Sequence, residues 1–137
     1  MKHDQFIGQL QARTRLSSRG EAEGVARAAL ETLGERIPDH LAAKLASQLS
    51  PELAVHLHRS DAPDHEGTGE HFDVKEFTHR VAERERAHEP DALYHARVVF
   101  ELLGEATTGG VMDRVRDALP PDLRPLVDAG SGGRLNG

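Results

Sequence analysis

Nine histidines in 137 residues are the first chemistry the chain offers. His56, His58, His65 and His71 lie in or beside one segment that also carries Asp61, Asp64, Glu66 and Glu70. Imidazole and carboxylate ligands suit zinc, nickel or iron, and His56-x-His58 can offer two donors to one ion in extended backbone. No two of these histidines have the i, i+4 spacing of a rigid helical site. Gly67 and Gly69 between them add ordering entropy to any chelate. The segment therefore reads as a solvated linker, and neither a metal nor a cofactor is expected.

A second constellation is Arg27/Glu31 with its echo Arg97/Glu101. At i, i+4 spacing each pair can close an intrahelical ion pair, worth only ~0.2–0.5 kcal/mol in isolation. Two carboxylates held together could instead carry raised pKa values and work as acid and base. The plainer reading is structural. Each of the four lies one residue past a position expected to be buried (Ala26, Leu30, Ala96, Phe100), at the border of the core. Pairing across the two copies, Arg27 with Glu101 and Arg97 with Glu31, is the sharper expectation.

Other chemistry has little support. Ser17, Ser18, Ser47, Ser50, Ser60 and Ser131 show no nucleophile elbow. Gly109–Gly110 follows no strand and precedes no Lys-Ser/Thr, so it is no phosphate loop. Arg13, Arg15 and Arg19 form a basic cluster without aromatic residues to stack bases. No cysteine is present, which excludes disulfides and thiolate ligands. A net charge of −6 disfavours nucleic acid and anionic membrane surfaces as partners. No apolar run approaches the ~20 residues of a membrane span, and no apolar leader opens the chain. A cytoplasmic protein is expected.

The elements that must position these residues repeat. Ala26–Glu35 (ARAALETLGE) returns 70 residues later as Ala96–Glu105 (ARVVFELLGE), identical at six of ten positions. Upstream, Phe6, Leu10 and Arg13 meet Phe77, Val81 and Arg84 at an offset of 71. Downstream, Leu41, Leu45, Leu49, Pro51 and Leu53 meet Val111, Val115, Leu119, Pro121 and Leu123 at an offset of 70. A repeat of this length marks a duplicated unit. Half a chain of this size buries too little surface to be stable alone, so the halves should need each other.

Helix patterns run through both copies. Phe6, Ile7 and Leu10 stripe a helix over 3–14. Ser18-x-x-Glu21 has the form of a capping box, and Ala22, Val25, Ala26, Ala29, Leu30 and Leu33 stripe a long helix over 19–36. Pro38 suits the first turn of a third helix carrying Leu41, Leu45 and Leu49. Ser50–Pro51–Glu52 starts a short fourth helix. Asp73 and Glu76 form a second box, with Phe72 and Phe77 as its staple. A second long helix covers 90–104, and Val111, Val115 and Leu119 stripe the next. Gly34 and Gly104 are expected as C-caps, and Pro125 as a limit on the last short turn. No stretch alternates with period two, so no sheet is expected. Residues 58–71 form the linker and 128–137 a flexible tail.

The pattern resembles a bacterial family known as domain of unknown function 2267. The resemblance rests on Asp73-Val-Lys-Glu-Phe77, on Ala26–Arg27 with Leu33-Gly34-Glu35 and their repeats, on Gly109–Gly110, and on Leu119-Pro120-Pro121-Asp122-Leu123-Arg124. It covers about residues 4–127. It implies an all-helical duplicated domain and no established activity.

The expected architecture is thus an all-α, internally duplicated bundle with two copies of three helices plus a short fourth, packed through the second helix of each. One domain spans 1–127, as repeat one (about 1–57), the linker and repeat two (72–127). The expected role is a non-catalytic protein-interaction or self-association module with a protein partner or itself. The alternative is a small-ligand or divalent-metal-binding protein using the cleft between repeats or the histidine linker.

Overall fold

The computed structural model describes residues 1–58 and 69–129. They form eight helices: α1 (His3–Thr14), α2 (Arg19–Arg36), α3 (Asp39–Ala46), α4 (Pro51–Leu57), α5 (Val74–Glu85), α6 (Glu89–Ala106), α7 (Val111–Ala118) and α8 (Arg124–Ala129). No strand occurs among the described residues.

Side-chain caps start α2 and α5. Ser18 Oγ accepts from the Glu21 N–H at 3.1 Å, and an Asp73 carboxylate oxygen from the Glu76 N–H at 2.9 Å. The return arms of both expected boxes go elsewhere. Glu21 takes the Ser17 and Ser18 hydroxyls, and Glu76 takes Arg80 Nε at 2.8 Å. Phe72 and Phe77 sit with ring centroids 6.3 Å apart, as a staple should.

Several expected punctuation marks fall differently. Pro38 is the extended residue before α3 rather than part of its first turn. Ser50 precedes α4, but its hydroxyl makes no cap bond and meets His3 Nδ1 at 3.3 Å. Gly34 and Gly104 lie inside α2 and α6, which run on to Arg36 and Ala106. Packing holds those last turns in place after the glycine. Pro125 stands in the first turn of α8, where its missing N–H has no helical partner in any case.

Packing gathers all eight helices on one continuous apolar cluster. The stripes of α2 (Val25, Ala29, Leu33) and α6 (Ala96, Val99, Leu103) are both within it, each side chain at most 3% exposed. Phe77 meets Phe100 at 5.9 Å between centroids. Helices α2 and α6 touch each other, α1 packs on α6, and α5 packs on α2. On the flanks α4 covers α2, α8 covers α6, and α3 meets α7.

The edges of the expected linker and tail are ordered parts of this packing. The Glu70 N–H donates to Glu35 O at 2.8 Å, and Gly69 lies against the end of α2 at φ 80°, where a Cβ would come 2.7 Å from Arg36 O. Asp128 is inside α8 and accepts Arg116 Nε at 2.8 Å.

Candidate functional site

Arginines and glutamates of the first four helices and the last four meet at two seams. At the first, Arg84 of α5 reaches α2. Its Nη1 donates to Glu35 Oε1 at 2.8 Å and its Nη2 to Glu35 Oε2 at 2.7 Å, a two-pronged guanidinium–carboxylate pair. The same Nη1 donates to Thr32 Oγ1 at 2.8 Å, and that buried hydroxyl passes its own proton to Ala28 O at 2.8 Å. Glu31 stands 3.7 Å from Arg84 Nε. Arg80, one turn earlier, donates to Glu35 and Glu70 at 3.2 Å each and stacks over Phe72 at 4.0 Å. Burial alone would push the Glu35 carboxyl up, but Arg84 and Arg80 outweigh it and hold it below its ordinary value.

At the second seam Arg13 of α1 reaches α6. Its Nη1 donates to Glu101 at 2.5 Å and Glu105 at 2.8 Å, and its Nη2 to Glu105 at 2.9 Å. The Tyr94 hydroxyl donates to Arg13 O at 3.2 Å. The hydrogen bond to Glu105 raises the Arg13 pKa, against an opposing effect of burial, and Glu101 adds to the rise.

Pairing across the halves thus occurs through α1 and α5, which bring Arg13 to Glu101 and Arg84 to Glu31. Arg27 points outward, with its side chain 62% exposed, and its Nε lies 3.4 Å from Glu31 on its own helix. Arg97 is only 7% exposed and stands 5.6 Å over the Tyr94 ring. The signal for Arg13 and Arg84 was available in their alignment at the 71-residue offset, four residues after another aligned pair, Gln9 and Arg80.

The histidine constellation does not assemble among the described residues. His56 lies on α4, half-buried, and burial lowers its pKa. His58 and His71 are exposed at opposite ends of the undescribed stretch, and His65 lies outside the described residues. No group of three or more potential metal ligands occurs among the described residues.

Two of the clefts with other titratable groups carry a histidine paired to a carboxylate. One, of about 370 Å³, lies between α1, α2 and α4. Here Ser50 Oγ, His3 and Glu23 form a chain at 3.3 and 3.4 Å. The order matches a nucleophile, base and orienting acid, but Glu23 is 46% exposed and shared with Arg19 at 3.3 Å. Water and Arg19 compete for the carboxylate, so nothing fixes the imidazole.

The other cleft, of about 440 Å³, lies where the α5–α6 turn faces the start of α2. Its wall includes Glu85 and His95, whose Nδ1 and Oε1 are 2.5 Å apart. Their side chains are 4% and 12% exposed. The other carboxylate oxygen, Glu85 Oε2, is buried with no hydrogen-bond partner among the described residues. Opposite stand Gly20 and Gly24, whose missing side chains leave the cleft open. Sequence reasoning missed this pair, because residues ten apart on two helices share no helical face.

Residues 3–126 match the family model described as an uncharacterized conserved protein, DUF2267. The chain belongs to the DUF2267 family. Comparison with curated proteins gives no significant match. In this DUF2267 chain the matched span takes in both arginine seams and both clefts, from His3 to Glu105. No helix of the described residues is long and apolar enough to cross a membrane.

Proposed function

We propose that this DUF2267 chain is an internally duplicated helical bundle, packed through α2 and α6 about a pseudo-twofold axis, that acts as a non-catalytic binding module in the cytoplasm. Its ligand on this reading is a small polar molecule held in the α2/α5–α6 cleft, with no nucleic acid or membrane involved. The sequence repeat supports the duplication. So do helix lengths of 12, 18, 8 and 7 residues followed by 12, 18, 8 and 6. The α1–α6 and α2–α5 contacts are each other's counterparts under it. Small residues Ala28 and Ala29 in one long helix against Val98 and Val99 in the other favour interdigitation at normal core density.

The observation that carries the ligand reading is Glu85 Oε2. A buried acceptor without a donor is costly, and in a cleft wall it marks a place for one. The seams, by contrast, have their charges satisfied across the halves and read as structural. Proton–nitrogen NMR of the labelled chain against a library of small polar compounds tests the reading. Saturable shifts at the Gly20, Gly24 and His95 amides support it. Shifts confined to other surfaces, or none, overturn it.

A protein partner, or a second copy, is the second reading. It is favoured by Val55 on α4, a large apolar side chain left 60% exposed. If the chain self-associates through α4, Val55→Glu lowers the mass seen by light scattering to that of a monomer. An unchanged mass counts against that interface.

A further inference from the structure

We infer that the α2/α5–α6 cleft selects a small organic cation, an ammonium or amidinium group, with the Glu85 carboxylate as its anchor and His95 holding that carboxylate in place. The inference rests on the cleft-binding reading and adds the ligand's chemical class.

The scaffold itself does not require the Glu85–His95 pair. The repeat aligns Glu85 with Thr14 at the 71-residue offset and His95 with Val25 at the 70-residue offset. In the first half those two positions carry no charge. The Thr14 hydroxyl donates to Leu10 O at 2.6 Å within its own helix, and Val25 is 3% exposed. The second half places a carboxylate and an imidazole there instead, 4% and 12% exposed. Burying a carboxylate is destabilising unless donors satisfy both oxygens. His95 Nδ1 serves Oε1, which leaves Oε2 short of one donor. A feature that lowers stability, and that the equivalent corner does without, points to binding rather than folding.

The charge of the wall sets the sign of the ligand. Glu21, Glu85 and Asp91 line the cleft together with Arg84, Arg86 and His95. Arg84 is not available to a ligand anion, because its guanidinium is turned into the seam on Glu35 and Thr32. Three carboxylates then stand against the exposed Arg86. An incoming carboxylate or phosphate would meet Glu85 as a like charge at close range, whereas an ammonium or amidinium group meets it as an opposite charge.

The test uses the full chain with n-butylammonium and methylguanidinium chloride as probes and sodium butyrate and butanol as isosteric controls. Both cations are expected to shift the Gly20 and Gly24 amides saturably, and neither control is. Glu85→Gln keeps the shape and removes the charge, and is expected to weaken cation binding about tenfold or more. Gly24→Leu puts a side chain into the cleft from a position where a Cβ would meet no atom within 4 Å, and is expected to abolish the Gly20 shift even if Glu85→Gln does not fold. Cation binding of equal strength in Glu85→Gln overturns the inference, as does cation binding that survives Gly24→Leu. If butyrate or butanol shifts these amides and the cations do not, the cation class is wrong and the cleft reading stands. If no probe of any charge shifts them, the cleft reading fails as well.

Discussion

The two seams use aligned residues and reach different balances. Glu31 and Glu35 correspond to Glu101 and Glu105, and Arg84 to Arg13. At the first seam two guanidiniums, Arg84 and Arg80, converge on Glu35, whose side chain is 14% exposed. At the second the position of Arg80 is taken by Gln9, which only props Arg13 Nε at 3.3 Å, and Glu105 is 46% exposed. Thr32 adds a buried hydroxyl to the first seam, where the second has Leu102. One ion-pair motif therefore serves as a drier clamp on one side, where two guanidiniums meet Glu35, and as a wetter one on the other. The strength of an ion pair follows its desolvation and its supporting donors more than its residue types.

The largest expected effect separates the seams directly. Arg84→Ala leaves Glu35 and Thr32 without their main donor in a mostly buried site, and should cost ~2–4 kcal/mol in denaturant unfolding. Arg13→Ala should cost about half as much, ~1–2 kcal/mol, because water reaches Glu105. A double-mutant cycle between Arg84 and Glu35 should give a larger coupling than one between Arg13 and Glu105. Equal couplings would show that burial does not distinguish the seams.

The next contrast is within the long helices. Arg97→Ala removes a buried side chain that covers Tyr94 and should lower stability by ~1–3 kcal/mol. Arg27→Ala, at the aligned but exposed position, should stay within ~0.5 kcal/mol of the parent. Thermal melts with equal losses for both would remove the asymmetry between the halves.

Gly34 and Gly104 should differ in sign. A Cβ on Gly34 would stand 2.9 Å from Leu57 O, so Gly34→Ala forces α4 off α2 and should cost ~1–2 kcal/mol. A Cβ on Gly104 meets nothing within 4 Å, so Gly104→Ala should stabilise α6 by ~0.5–1 kcal/mol. Melting temperatures moving in the same direction would contradict the α2–α4 close approach.

The smallest effect is a pH dependence confined to the first seam. The folded Glu35 pKa lies below its ordinary value of 4.5. Its stabilisation is therefore complete above about pH 4.5 and fades as the pH falls through the folded pKa. The stability gap between the parent and Glu35→Gln should narrow over that acidic range. A gap independent of pH would mean that Glu35 is not held ionised by Arg84 and Arg80.

The comparison also shows which features were legible. Ser18 and Asp73 announced their helices, because a cap acts over three residues of the same chain. Arg27 and Arg97 looked equivalent, because sequence offers the same neighbours at i−1 and i+4. One is exposed and the other covered, and nothing local distinguishes them. Gly34 and Gly104 looked like helix ends, because glycine's low helix propensity is a local fact. Gly34 is tolerated for a reason 23 residues away, the Leu57 backbone.

The sequence by itself determined the helices, the caps at Ser18 and Asp73, the apolar stripes and the recurrence of the Arg13/Arg84 and Glu35/Glu105 positions. These depend on spacings of three, four and about seventy residues that can be counted along the chain. Tertiary structure alone decided which arginine meets which glutamate, which of two aligned arginines is buried, and that Glu85 and His95 share one dry corner. Those outcomes depend on how helices approach one another. Side chains on different helices meet through space, and the desolvation that sets their energies depends on everything packed around them.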